Sequence, residues 1–366
     1  MIIGLDGNEA NVTQAVGVSV YAQNLLYYFQ KNANKNNQFK IFLRNKPLSF
    51  LPQESEYFKY IIVQGKAFWS QLFLPLNLYF QNKVDVFFSP AHYAPRFCPV
   101  PLVVTIHDLS YFYYPNEFLK KDLYKLRNWT KYSVKKASKI ISVSKTTKKD
   151  LMKFYEIPDE KITVIYNGGP RRHPEQGAKR RVEGSLNLSK PYILFVGTLQ
   201  PRKNINVLID AFSILVKTSP DIKLVITGKK GWLFTEIFKK VTELNLEDKI
   251  IFTDHISDDE LTWLYKNALC FVMPSLYEGF GIPILEAMEN SCPVISSFSS
   301  SLPEVAGEAA LYFDPTNSSD LLEKINQLLI NKDLKNDLIK KGKERVKQFS
   351  WEKSAKETLE IIQSAI

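Results

Sequence analysis

A chain of 366 residues has room for about two domains, and 45% hydrophobic with 23% charged residues is the balance of an ordinary soluble globular protein. No apolar run approaches the roughly 20 residues that span a bilayer, and "MIIGLDGNEA" opens directly on a strand without a basic-then-apolar leader. Three cysteines (Cys98, Cys270, Cys292) sit in apolar surroundings without CxxC spacing, which reads as buried thiols of a reducing compartment rather than disulfides or zinc ligands. The expectation is a cytosolic protein whose formal charge of +10 suits anionic partners.

In chain order, short β-branched runs alternate with helical stretches. The first half contains "IIGLDG" (2–7), "KIFLRN" (40–45), "YIIVQG" (60–65), "VDVFFS" (84–89), "LVVTIH" (102–107), "KIISVS" (139–144) and "ITVIYN" (162–167). The second contains "YILFVG" (192–197), "KLVITG" (223–228), "KIIFTD" (249–254), "CFVMPS" (270–275), "PVISS" (293–297) and "ALYFD" (310–314). Runs apolar on both faces and separated by helices predict parallel sheets covered on each side, hence an α/β protein of two doubly wound units. The stretch 168–190, with Gly, Pro and charge but no apolar periodicity, predicts an interdomain linker at 170–190 between domains 1–169 and 191–350. In the final segment Ser350 is the expected N-cap, followed by Trp351, Ala355, Leu359 and Ile362 at helical spacing.

Ligands of open α/β sheets bind at the carboxyl ends of the strands, so residues there carry functional weight. After "YILFVG", the Gly197 turn, Arg202 and Lys203 precede the helix "INVLIDAFSILV", an arrangement of cations and backbone N–H groups that holds a diphosphate without metal. After "CFVMPS", the turn "LYEGFG" places Glu278 beside Gly279, Phe280 and Gly281, where glycines allow a ligand close to the backbone. Pro283 suits the first helical position and Glu286 the first turn of the next helix. A carboxylate accepts two hydrogen bonds from vicinal hydroxyls of a ribose or hexose, the role expected of both glutamates. Ser257 with Glu260 in "SDDE" reads as a capping box, not a metal site. No Asp-x-Asp follows a strand, so no metal is expected. GxGxxG after the first strand, GxSxG and HExxH are also missing from the sequence.

"GTLQPRKN", "PSLYEGFGIPILEAM" and "SSLPEVAGEAALYFDP" resemble the nucleotide-sugar domain of the retaining glycosyltransferases of family 4, and "TIHDLSYFYYP" and "ASKIISVSKTTKKDL" resemble the same family's acceptor domain. The resemblance implies the GT-B fold, two Rossmann-like domains facing each other across a cleft, with the helix 351–366 packing back on the first domain. It implies that Arg202 and Lys203 bind the donor diphosphate, that Glu286 grips the ribose, that Glu278 faces the transferred sugar, and that His107 bonds that sugar near the reacting carbon. The family's Gly-Gly-Ile-Gly-Arg-Tyr wording is altered in "GNEANVTQAVGVSVYAQNLL" (7–26). Gly17 and Tyr21 keep their places, but the Gly-Arg pair falls on Val18-Ser19 or Ser19-Val20, so only a backbone contact from Gly17 is carried over. His92 could lie near the acceptor, though packing is the stronger expectation.

The expected reaction moves a hexose from a nucleotide sugar, a substrate rather than a cofactor, to a glycan or lipid-linked glycan. The wording resembles mannosyltransferases of surface-polysaccharide assembly, so GDP-mannose is the first expectation and a UDP-hexose the second. A nucleotide-sugar epimerase of the same architecture is a rival. A nucleic-acid binder would explain the charge but not the glutamates. The basic stretch 120–139 and the aromatic-rich 67–80 fit either a solvated helix and a core element or peripheral contact with the inner face of an anionic membrane.

Overall fold

In a computed structural model that describes residues 1–65, 68–169, 188, 191–254 and 256–366, the chain divides into two compact units. One comprises Met1–Gly168 with Phe349–Ile366, the other Gly169–Gln348. The expected linker at 170–190 lies outside the described residues apart from Leu188.

The first unit is built on β1 (Ile2–Asp6), β2 (Gln38–Leu43), β3 (Phe58–Ile62), β4 (Val86–Ser89), β5 (Leu102–Ile106), β6 (Lys139–Ser142) and β7 (Ile162–Val164), in the order β3-β2-β1-β4-β5-β6-β7. Every pairing is parallel, for instance Ile3 against Phe39 on one side and Val86 on the other. Alternate residues feed two cores. Ile3, Leu5, Val86 and Phe88 pack on one face with Tyr21 and Leu25, while Phe87, Val104 and Ile140 pack on the other with Leu74 and Val134. The helix Trp351–Gln363 closes the first face with Ala355, Leu359 and Ile362, and Ser350 caps it by accepting the Lys353 N–H.

The second unit contains β8 (Tyr192–Val196), β9 (Lys223–Thr227), β10 (Ile250–Phe252), β11 (Cys270–Met273), β12 (Val294–Ser297) and β13 (Ala310–Phe313), all parallel, ordered β10-β9-β8-β11-β12-β13. This is the Rossmann order, whose direction of winding reverses between β8 and β11. One core cluster holds Ile193, Phe195, Leu208, Phe212, Ile226, Val272 and Ile325.

Each strand overlaps one of the runs read from the sequence, but most runs overshoot at the carboxyl end. His107, Ser144, Gly197, Gly228, Pro274 and Ser275 leave the ladder. Pro274 lacks the N–H a ladder needs, and Ser144 instead caps the helix Lys145–Tyr155 by accepting the Thr147 N–H at 3.0 Å. The capping box at Ser257 and Glu260 forms on the helix Asp258–Asn267. Among the described residues no helix is long and apolar enough to cross a membrane.

Candidate active site

In the second unit the loops after β8 and β11 meet because these strands are neighbours at the winding reversal. Pro201–Lys203 forms a single helical turn, and Asn204, in the left-handed region, starts the helix Ile205–Thr218. Its side chain does not cap that helix. It donates instead to the carbonyls of Pro274 (3.1 Å) and Pro315 (2.8 Å), tying the β8 loop to those after β11 and β13.

Lys203 Nζ donates to Glu278 Oε1 at 2.5 Å, and Arg202 Nη1 donates to Glu278 Oε2 at 3.3 Å and to the Tyr277 carbonyl. All three charged side chains are nearly buried, at 11–13% exposure. Burial alone would raise the Glu278 carboxyl, but the Lys203 and Arg202 charges outweigh it and hold the group below its usual value. Two cations around one carboxylate leave a net positive charge, a setting for a further anion. Gly197 gives its N–H to the Thr227 carbonyl at 3.0 Å, so it is not an open donor, and a Cβ there would press the Phe195 ring at 3.3 Å.

Serines after β12 support the glutamate backbone. Glu278 N–H donates to Ser300 Oγ (2.8 Å), and Ser301 Oγ donates to the carbonyls of Glu278 (2.8 Å) and Phe280 (3.0 Å). Gly281 has φ +111°, and a Cβ there would stand 2.8 Å from Leu302 Cδ2, so the turn into the next helix requires glycine. That helix is Ile282–Glu289, with Pro283 in its second position. Glu286 therefore lies beyond the first turn, not in it as the sequence suggested, because the helix starts directly after Gly281 and no acid occupies its first turn. The Glu286 carboxylate accepts the buried hydroxyl of Tyr265 at 3.1 Å. Burial and the adjacent Glu286 charge push that phenol well above its ordinary value, so it stays a donor. Tyr265, Asn204 and the two serines went unread in the sequence. The serine run after β12 was the available signal.

In the first unit His107 leaves β5 nearly buried, with Nε2 2.8 Å from the Pro90 carbonyl. A carbonyl only accepts, so Nε2 carries the proton and Nδ1 is the ring's acceptor. Burial, then the neighbouring His92 ring at 5.9 Å, push the imidazole down to about 4, so it is neutral at physiological pH. Tyr21 stands edge-on to it at 5.0 Å and bonds Thr105 Oγ1 at 3.0 Å. His92 Nδ1 is buried without a hydrogen-bond partner among the described residues. Gly17 precedes the helix Val18–Lys31 with φ +37°, and a Cβ there would meet open space.

The model of "Glycosyltransferase Family 4" matches residues 17–169, and that of "Glycosyl transferases group 1" matches residues 178–345. The chain is 32% identical over 261 residues to O-antigen chain mannosyltransferase B of Escherichia coli, covering 70% of this chain and 68% of the relative. The chain belongs to glycosyltransferase family 4. A second relative, O-antigen chain mannosyltransferase RfbU of Salmonella typhimurium, is 34% identical over 62% of this chain and 60% of its own length. Among solved structures, a sucrose-phosphate synthase from Thermosynechococcus elongatus superposes with TM-score 0.79 at 20% identity, over 99% of this chain and 98% of that one. The protein is thus a glycosyltransferase of GT-B fold.

Proposed function

We propose that this glycosyltransferase moves mannose from GDP-mannose to a hydroxyl of a glycan or lipid-linked glycan, with retention of configuration and without a metal ion. The Lys203–Glu278–Arg202 cluster carries the reading, and the O-antigen mannosyltransferase relatives supply the sugar. Cleavage of the anomeric C–O bond loads negative charge on the β-phosphate. Arg202, Lys203 and the start of the helix Ile205–Thr218 stabilise that charge as it develops. The acceptor oxygen bonds the same face of the anomeric carbon, and its proton passes to the departing phosphate. Glu278, kept ionised by its cations, faces the transferred sugar; Glu286 takes the ribose hydroxyls; neutral His107 bonds the sugar; and the Gly17 and Gly279–Gly281 backbones approach the ligand.

A thermal-shift panel of GDP, UDP, ADP and their sugars tests this, because a ligand well above its dissociation constant stabilises by a few kcal/mol. The largest rise in Tm is expected with GDP and GDP-mannose. A larger rise with UDP overturns the nucleotide assignment, and no rise with any nucleotide overturns the donor site. Proton NMR of the product's anomeric signal tests retention. Undiminished turnover in excess EDTA is the expected result for a metal-free reaction.

A further inference from the structure

Between β3 and β4 a π-helical turn, Trp69–Phe73, runs straight into the helix Leu74–Phe80. One side is spent on the core: Trp69, Leu74 and Leu78 pack with Phe87 and Val104, and Trp69 Nε1 donates to the Val63 carbonyl at 2.8 Å. On the other side Phe68, Leu72, Leu76 and Phe80, four residues apart, are 68%, 51%, 47% and 79% exposed, with Tyr79 beside them at 48%. Phe97 adds a further ring, 72% exposed, next to the start of the segment, where Arg96 N–H donates to the Ser70 carbonyl at 3.2 Å. Phe68 and Phe97 both hold positive φ (58° and 52°), a conformation bulky side chains rarely adopt, and both present their rings to solvent. A face of this kind is retained where something covers it.

The charge around it selects the cover. From Tyr57 to His107 the only acid is Asp85, and its carboxylate accepts the Ile2 N–H at 2.6 Å. Arg44 stacks over the Trp69 ring at 5.3 Å, and Arg96 over Tyr132 at 5.3 Å. Tyr132, whose hydroxyl takes the Phe97 N–H at 2.9 Å, belongs to the helix Lys120–Lys136, which carries six lysines and Arg127 against Asp122 alone. A second copy of the chain would bring cations against cations. An apolar face without acids, continuous with a basic helix, is complementary to anionic headgroups over acyl chains. We propose that Phe68–Phe80 and Phe97, flanked by the helix Lys120–Lys136, seat this protein on an anionic bilayer leaflet. The loop carrying Arg96 and Phe97 also holds His107 through the Pro90 carbonyl, so the seated face adjoins the strand ends of its own unit.

Flotation of the full chain, without donor or acceptor, with phosphatidylcholine vesicles containing about a third phosphatidylglycerol tests this, beside pure phosphatidylcholine vesicles. The protein is expected to float with the anionic vesicles and to sediment with the neutral ones, and binding should weaken with added salt. Leu76→Ser combined with Phe80→Ser, at exposed positions and checked by an unchanged melting curve, is expected to lower partitioning by about tenfold or more. Wild-type protein that does not float with anionic vesicles, or a folded double variant that floats as well as wild type, overturns the proposal. A doubled mass in sedimentation that the double variant reduces to one chain also overturns it, because a second copy then covers the face.

Discussion

At the carboxyl ends of β8 and β11 charge is kept by pairing, with Glu278 between Lys203 and Arg202. At the carboxyl ends of β4 and β5 charge is suppressed by burial, with His107 pushed down to about 4 by desolvation and the His92 ring in spite of its hydrogen bond to the Pro90 carbonyl. Both sets leave their strands at equivalent places in parallel sheets, so topology does not explain the difference. Their partners do. A buried carboxylate remains ionised only with cations beside it, while an imidazole escapes the same penalty by staying neutral. A cluster of retained charge suits an anionic leaving group, and a neutral ring that keeps one acceptor nitrogen suits sugar hydroxyls. The contrast can be broken at either end.

The largest effect is expected at the paired end. Lys203→Ala leaves Glu278 with Arg202 alone, so kcat/KM should fall by about 10²–10³. Stability should drop by about 1.5–3 kcal/mol, because a charged hydrogen bond of low exposure is lost while Arg202 still balances the Glu278 charge. Adding Glu278→Gln to Lys203→Ala should lower stability further, because nearly buried Arg202 then loses its carboxylate, as read by melting curves beside donor kinetics. If Lys203→Ala loses stability but turns over near the wild-type rate, the lysine serves only as a counter-ion and the diphosphate role fails.

A smaller effect, and one of pH, is expected at the neutral end. The folded His107 lies below the ordinary 6.5, so the folded state binds its proton less readily than the unfolded chain does. The stability linked to this ring is therefore complete above about pH 6.5 and drains away as the pH falls toward 4, at no more than about 1.4 kcal/mol per pH unit for one proton. His107→Gln should flatten the melting temperature across that window. Glu278, whose folded value is lowered from 4.5, should draw on stability only as the pH falls below that, so Glu278→Gln should leave the higher window unchanged. An unchanged slope in His107→Gln would show that the ring is not held neutral. The same variant should lose up to about 10-fold in kcat at pH 7, the range of one hydrogen bond between neutral groups.

These groups differ in how far the sequence announced them. Strands such as "YILFVG" and "CFVMPS" were legible because parallel strands buried on both faces read as continuous apolar runs. The residues that leave the ladder were not, because Gly197, His107 and Ser275 suit a strand end and a loop equally well. Arg202, Lys203 and Glu278 stood out as charges beside glycines, yet their contact depends on β8 and β11 being neighbours, and strand order leaves no trace in periodicity. Asn204 was hidden behind the cations it follows. Tyr265 was hidden more thoroughly: in "LTWLYKNAL" it fits the apolar stripe of a helix, and its hydroxyl has no signature. The segment 67–80 left a core element and a membrane face both open because its composition fits each. Apart from Ala67, outside the described residues, its side chains divide between core and surface, with Trp69, Leu74 and Leu78 inward and Phe68, Leu76 and Phe80 outward.

Tyr265 also offers the finest test of the contrast, since it lets a neutral donor fix a charged group. Its hydroxyl meets Glu286 Oε2 at 3.1 Å from a buried ring, and the raised phenol never competes for the negative charge. Tyr265→Phe keeps the ring's packing against Phe271, 5.6 Å between centroids, and removes only the hydrogen bond. If Glu286 holds the ribose, loosening its carboxylate should raise the donor KM about three- to tenfold at nearly constant kcat, a part of the about 1.5–3 kcal/mol that a hydrogen bond to a charged group contributes. The loss should shrink for a donor carrying 2-deoxyribose, which presents one fewer hydroxyl to the glutamate. An equal loss for both donors would place Glu286 away from the ribose and leave Tyr265 a purely structural contact.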